Sequence, residues 1–213
     1  MSTATKWSNI AIAIQSALAA AKTITGITQA SPGVCTSVAH GYTTADYLKL
    51  TINGMYQLDS MVARIIVLTA DTFSLEGVDT TLFDTFTSGT AEKITFGTTL
   101  STAVSISASG GDFSFIDTTT IHDNVKKQIP GIANPATFSF ENIWDVSDAG
   151  LVALKAASDT QAQRAVRFTF ANSQKLVFTG YIGASLLPTG GAQDIVKTSA
   201  VITMFGKPNV YST

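Results

Sequence analysis

The chain has 213 residues, 45% of them hydrophobic and only 13% charged, with a formal net charge of −2 and a pI near 5.6. Charged residues thus reach about half of the ~25% usual in soluble proteins, so Thr, Ser, Ala and Gly must cover the surface, which suits a subunit buried against neighbours. The balance excludes electrostatic gripping of nucleic acid or an anionic membrane, the single Cys35 excludes an intrachain disulfide framework, and no apolar run approaches the ~18 residues of a membrane span.

Residues 1–23 form an alanine-rich apolar lead. Lys6 followed by Ile10 to Ala21, ending in Ala19-Ala20-Ala21, has the outline of a secretory leader, but Asn9, Gln15 and Ser16 interrupt it. From Asn9 to Gln15 the isoleucines alternate, the period of a half-buried strand, although Ile10, Ile14 and Leu18 also fit a helical stripe. A strand through Ile14 is expected.

Residues 24–92 read as a small β module. Apolar runs at Tyr47–Ile52 and Ala63–Leu68 are separated by the turn pairs Pro32-Gly33, His40-Gly41 and Asn53-Gly54, the last being the strongest hairpin signal. Thr72-Phe73-Ser74-Leu75 alternates before Glu76-Gly77. Short strands with regular turns imply a compact barrel or sandwich.

Residues 93–213 carry further strand patterns at Ile94–Phe96, Val104–Ile106, Phe113–Ile116 and Ala136–Glu141. Between the last two lies a long, turn-rich connection holding Ile129-Pro130-Gly131 and Asn134-Pro135, and a connection of that length is usually functional or ordered against a partner. One helix follows, capped by Ser147 or Asp148, with Leu151, Leu154 and Ala157 on one face. Arg164–Phe170 and Lys175–Tyr181 then alternate around Asn172-Ser173 as a hairpin, and Ile195–Phe205 closes the sheet. The expected fold is mainly β: a sandwich or barrel with one flanking α-helix, built from residues 1–23 and 93–213, with a small β-barrel module inserted at 24–92.

No constellation of acid, base and nucleophile can be assembled, so neither an enzyme nor a cofactor is expected. His40 reads as a turn histidine. His122-Asp123 could be half of a metal dyad, but no second His or Cys cluster completes it. Cys35, between Val34 and Val38, reads as a buried small apolar residue. Gly110-Gly111 and Gly190-Gly191 lack the lysine and spacing of a phosphate loop and read as turns.

Charge is unevenly distributed. Residues 110–150 hold Asp112, Asp117, Asp123, Glu141, Asp145 and Asp148 against Lys126 and Lys127, whereas 155–175 hold Lys155, Arg164, Arg167 and Lys175 against Asp159. Opposite patches suit a head-to-tail or ring interface where they meet in trans, with Asp145, Asp148, Arg164 and Arg167 as the candidates. Solvated faces with no role in assembly are the plainer reading of the same pattern.

Phe115-Ile116-Asp117-Thr118-Thr119, Ile121-His122-Asp123, Ile129-Pro130-Gly131 and Phe138-Ser139-Phe140 together resemble the signature stretch of phage tail tube proteins of long, non-contractile tails. The helix from Asp148 to Leu154, then Arg167–Phe170 and Phe178–Tyr181, continue the resemblance in order. The segment from Ile24 to Ser88-Gly89 resembles a small β module seen in phage tail proteins, related in pattern to the first catalytic-cysteine half-domain of ubiquitin-activating enzymes, a half-domain that carries no catalytic cysteine.

The resemblance implies a virion protein assembled in the host cytoplasm. Hexameric rings would form a continuous inner barrel and stack into a tube through the loop from about Asp117 to Pro135. Its contact candidates are Asp117, Thr119, His122, Asp123, Ile129, Pro130 and Gly131. Tape measure, tail-tip and terminator proteins would be its partners, and DNA would pass through the lumen without specific binding. A terminator, tail-tip or decoration protein of the same fold is the nearest alternative; a secreted adhesive or carbohydrate-binding β protein is a more distant one.

Overall fold

The computed structural model describes residues 9–212. Lys6 and Met1, at the start of the leader-like segment, lie outside the described residues. The alternating isoleucines form strand β1 (Ala11–Leu18), not a helix, and Ile12 and Ile14 are fully buried. Small strands β2 (Lys22–Ile24), β3 (Gly26–Ile27) and β4 (Val34–Thr36) lead into β5 (Tyr47–Asn53), β6 (Val62–Val67) and β7 (Thr72–Leu75). Strand β8 (Ser88–Leu100) follows, then β9 (Ala103–Ser109), β10 (Phe113–Asp117), β11 (Gln128–Ala133) and β12 (Thr137–Ile143). Helix α1 (Ala149–Asp159) precedes β13 (Gln163–Thr169), β14 (Lys175–Ala184) and β15 (Lys197–Tyr211).

Thirteen strands form one sheet along the path β3-β4-β7-β6-β5-β8-β1-β13-β14-β15-β12-β9, with β2 paired to β8. Strand β8 joins its two halves: Leu48 to Asn53 pair with its first part, and β1 pairs with its second. Only Ser101 and Thr102 separate β8 from β9, although five strands lie between them in the sheet. The part of the sheet from β8 to β9 therefore curls back on itself, giving a half-barrel.

Alternation along β13 and β14 sends side chains to two faces. Val166, Phe168 and Phe178 join Ile12, Ile14, Phe140 and Ile202 beneath α1, which contributes Leu151, Leu154 and Ala157. Asp148 caps that helix by accepting from the Leu151 N–H at 2.8 Å, and Gly150 lies so near β8 that a Cβ would stand 2.5 Å from the Leu100 Cα. On the opposite face Ala165 and Val177 pack against Tyr47, Val62, Ile94 and Tyr211, so that the module's β5 and β6 cover the body's second face. A third cluster, with Leu48, Leu50, Ile65 and Phe73 at its centre, fills the module.

Three expectations are corrected. Asn53-Gly54 is not a two-residue hairpin turn. Gly54 does take φ +87°, but the chain continues through a 3-10 turn at Tyr56–Leu58, and pairing resumes at Lys49↔Val62. Met55 and Leu58 are fully buried there, so burial of the loop's apolar residues overrides the tight-turn preference. Next, the connection from 117 to 135 is not merely turns: it contains β11, which pairs with β10 as a separate two-stranded sheet outside the main one. Pro130 is tolerated because, among the described residues, this ribbon has no third strand for its missing N–H to serve. Last, the closing strand runs on to Tyr211. A Gly206 at φ +80° and a register shift between Val177 and Thr179 bend it without ending it.

Candidate functional site

The β10–β11 ribbon is an arm that extends the β9–β12 pair. At its base the chain turns through Gly110 and Gly111, at φ +82° and +84°, conformations that side chains disfavour. The ladder bridges the bend: the Gly111 N–H donates to Asn134 O at 3.2 Å and the Asn134 N–H to Asp112 O at 2.9 Å.

Within the arm, Ile116 lies opposite Ile129 and, one step along, Phe115 lies opposite Pro130. Successive strand residues point to opposite faces, so both faces of the ribbon are apolar. All four residues are exposed, Phe115 at 64%, and Ile121 at the tip is 97% exposed. Parallel and sandwiched strands carry apolar residues on both faces because both are covered; here neither is.

The tip is ordered by its own polar groups. The Thr118 N–H donates to Lys127 O at 3.0 Å, and Asp123 accepts from the Thr120 N–H and hydroxyl, each at 2.9 Å. Lys127 pairs with Asp123, and Lys126 lies 3.4 Å from Asp117. Hydrogen bonds from Thr119 hold the Asp117 carboxyl below its ordinary range, and Lys127, followed by Thr120, does so for Asp123. The arm's four charged residues are thus matched internally. His122 is exposed, its N–H 3.4 Å from the Thr120 hydroxyl. All seven loop candidates lie on this one arm: Ile129, Pro130 and Gly131 in β11, and Asp117, Thr119, His122 and Asp123 at or near the tip.

The four charge candidates are not brought together within the subunit. Asp148 is buried as the α1 cap and also accepts from the Ser101 hydroxyl, which engages it internally. Asp145 is exposed, its carboxyl held below its ordinary range by hydrogen bonds from Ser147. Arg164 stands beyond the far end of α1, whose 11 residues span roughly 16 Å. Arg167 lies on the module side of the sheet, its guanidinium over Phe96 at 4.7 Å and Tyr47 at 5.5 Å.

Two surfaces have no local signature in the sequence. Strand β9 ends the sheet, and its run Ala-Val-Ser-Ile-Ser-Ala-Ser has neither charge nor proline to discourage pairing with another strand. Beside the arm's base, a cleft of about 630 Å³ opens between Ala133 and Pro135 on one wall and Met204, Phe205 and Pro208 on the other, with Phe138 also lining it.

Cys35 and His40 have structural places. The Cys35 thiol is fully buried and pushed up to about 12, far from a reactive thiolate. His40 stacks on Tyr42, accepts from the Tyr42 N–H at Nδ1 (2.9 Å) and places Nε2 3.2 Å from Thr69 O, as the neutral Nε2–H tautomer would. Among the described residues no group of three or more His, Cys, Asp and Glu side chains could hold a metal ion, and no helix is long and apolar enough to cross a membrane.

A family model described as phage tail tube protein, TTP, matches residues 53–213. The chain belongs to that family. Comparison with curated proteins gives no match. The tail tube match begins at the last residue of β5, so it takes in the second part of the module as well as the body from β8 onward, arm included. Family membership assigns a structural role in the tail of a phage virion. It also implies self-association into a tube.

Proposed function

We propose that this chain is the ring-forming subunit of a long, non-contractile tail tube: six copies close into a ring through sheet edges, and rings stack through the arm into a conduit for DNA. One observation carries the reading. A member of the tail tube family holds out a ribbon that is apolar on both faces and ordered by its own tip, and a ribbon of that kind needs a second molecule to remove it from water. Ring closure supplies a partner for the uncharged β9 edge. A wall of near-neutral or acidic character lets phosphate pass, because carboxylates repel it. The 24–92 module sits on the outside in this reading, since its β5 and β6 cover the face of the body sheet opposite α1. Tape measure, tail-tip and terminator proteins are the expected partners within the tail, and assembly takes place in the host cytoplasm.

Negative-stain electron microscopy of the purified protein, over a range of concentration and salt and with or without tail-tip complexes as template, tests this. Stacked rings with an open bore are the expected result. Single rings that never stack, even on the template, would replace the tube subunit by a terminator of the same fold.

A further inference from the structure

We propose that the cleft beside the arm's base receives the arm of a second copy of this chain, so that every subunit is donor and acceptor at once; this rests on the tube-subunit reading above. The arm presents Ile116 and Ile129 on one face and Phe115 and Pro130 on the other. Lying flat on a partner would leave one of these faces in water. A cleft covers both, and this one has two apolar walls: the arm base at Ala133 and Pro135, and the bent part of β15 at Met204, Phe205 and Pro208. Its volume is about 630 Å³.

The chain's own arm is a poor occupant. Its base forms one wall, and the ladder from Phe113↔Ala133 to Asp117↔Gln128 holds the rest in an extended ribbon leading away. Charge sets no barrier between copies. The arm's only charged residues, Asp117, Asp123, Lys126 and Lys127, are paired among themselves, and the cleft's single charged residue, Lys207, is exposed at its rim. A contact between two different patches on identical subunits is heterologous, and it propagates from copy to copy without closing on a pair. Arm and cleft share Gly111 and Ala133, so seating one arm braces the base of the next.

The test uses full-length variants Gln128→Cys, on the arm, and Lys207→Cys, at the cleft rim. Both positions are exposed and polar, so neither change removes an apolar contact. Cys35 is fully buried and stays out of the reaction. After mild oxidation of assembled material, a mixture of the two variants should yield disulfide-linked dimers, each variant alone should yield none, and the double variant should yield a ladder of higher oligomers. Rings or tubes in the micrographs with no linkage in the mixture would overturn the cleft as acceptor and leave the tube reading standing. A double variant that links only within single chains would place the arm in its own cleft and overturn the proposal. Chains that neither assemble nor link, on a template or off it, would remove both readings. As a second measurement, Phe205→Glu should raise the concentration needed for assembly about tenfold or more; an unchanged threshold would count against the cleft.

Discussion

The module and the arm handle apolar side chains in opposite ways. Residues 24–92 turn Leu48, Ile65 and Phe73 to full burial, while the arm leaves Phe115, Ile116 and Ile129 half exposed or more. The module is also tied to the body by long-range bonds: the Arg64 N–H donates to the Tyr211 hydroxyl at 2.7 Å, Asn209 Nδ2 to Val62 O at 2.6 Å, and the Thr179 hydroxyl to Ser60 O at 2.9 Å. The arm's hydrogen bonds are mostly to itself. One segment therefore completes the fold of its own subunit, and the other keeps its apolar surface exposed.

Excising residues 24–92 should produce the largest effect. It uncovers Ala165 and Val177 and cuts β8 short at Lys93, so the remainder is expected to be insoluble; a soluble, cooperatively melting remainder would make the module a detachable appendage. Ile129→Asp should do the reverse, leaving unfolding within about 0.5 kcal/mol of the parent while abolishing stacking. Normal-length tubes from that variant would end the inter-ring role of the arm.

Titration should separate the two regions further. Burial raises the Cys35 thiol from 9.0, and the Tyr42 and Tyr211 phenols from 10.0, to about 12. The unfolded chain loses these protons first, so the stability they confer is intact below about pH 9 and is lost as pH climbs toward 12. Asp117 and Asp123 are depressed instead, so the order they lend the tip is present above the ordinary carboxylate range and is lost in stronger acid. Near-ultraviolet dichroism should report alkaline loss of the module, and amide exchange should report acid loosening of the tip; the opposite pairing would contradict the contrast. The smallest effect is expected of Tyr211→Phe, which removes the hydroxyl serving the Arg64 N–H and should cost about 1–3 kcal/mol in denaturant melts, with tubes still formed.

Elements whose signals were local were legible in the sequence. The alternating isoleucines gave β1, Asn172-Ser173 gave the β13–β14 hairpin, and Asp148 with Leu151, Leu154 and Ala157 gave α1 and its cap. Two of the three corrected expectations share one cause: turn residues within a continuing element. Pro130 and Gly131 hid β11, and Gly206-Lys207-Pro208 hid the last part of β15. The arm reads in the sequence as a long connection from about Asp117 to Pro135, without its ribbon form. The seam between Tyr47, Arg64 and Tyr211 joins positions up to 164 apart in number, and no local pattern announces such a contact. Asp148 fitted two roles in the sequence, cap and interface charge; the structure shows it capping.

Strand β8 belongs to the module at one end and to the body at the other, with no loop between. Mechanically it is a beam, not a tether. A pull on the module directed along that strand would load its antiparallel bonds to β1 in shear, so that they must fail together and not one by one. Anything that grips the module would thus transmit force straight into the body's sheet.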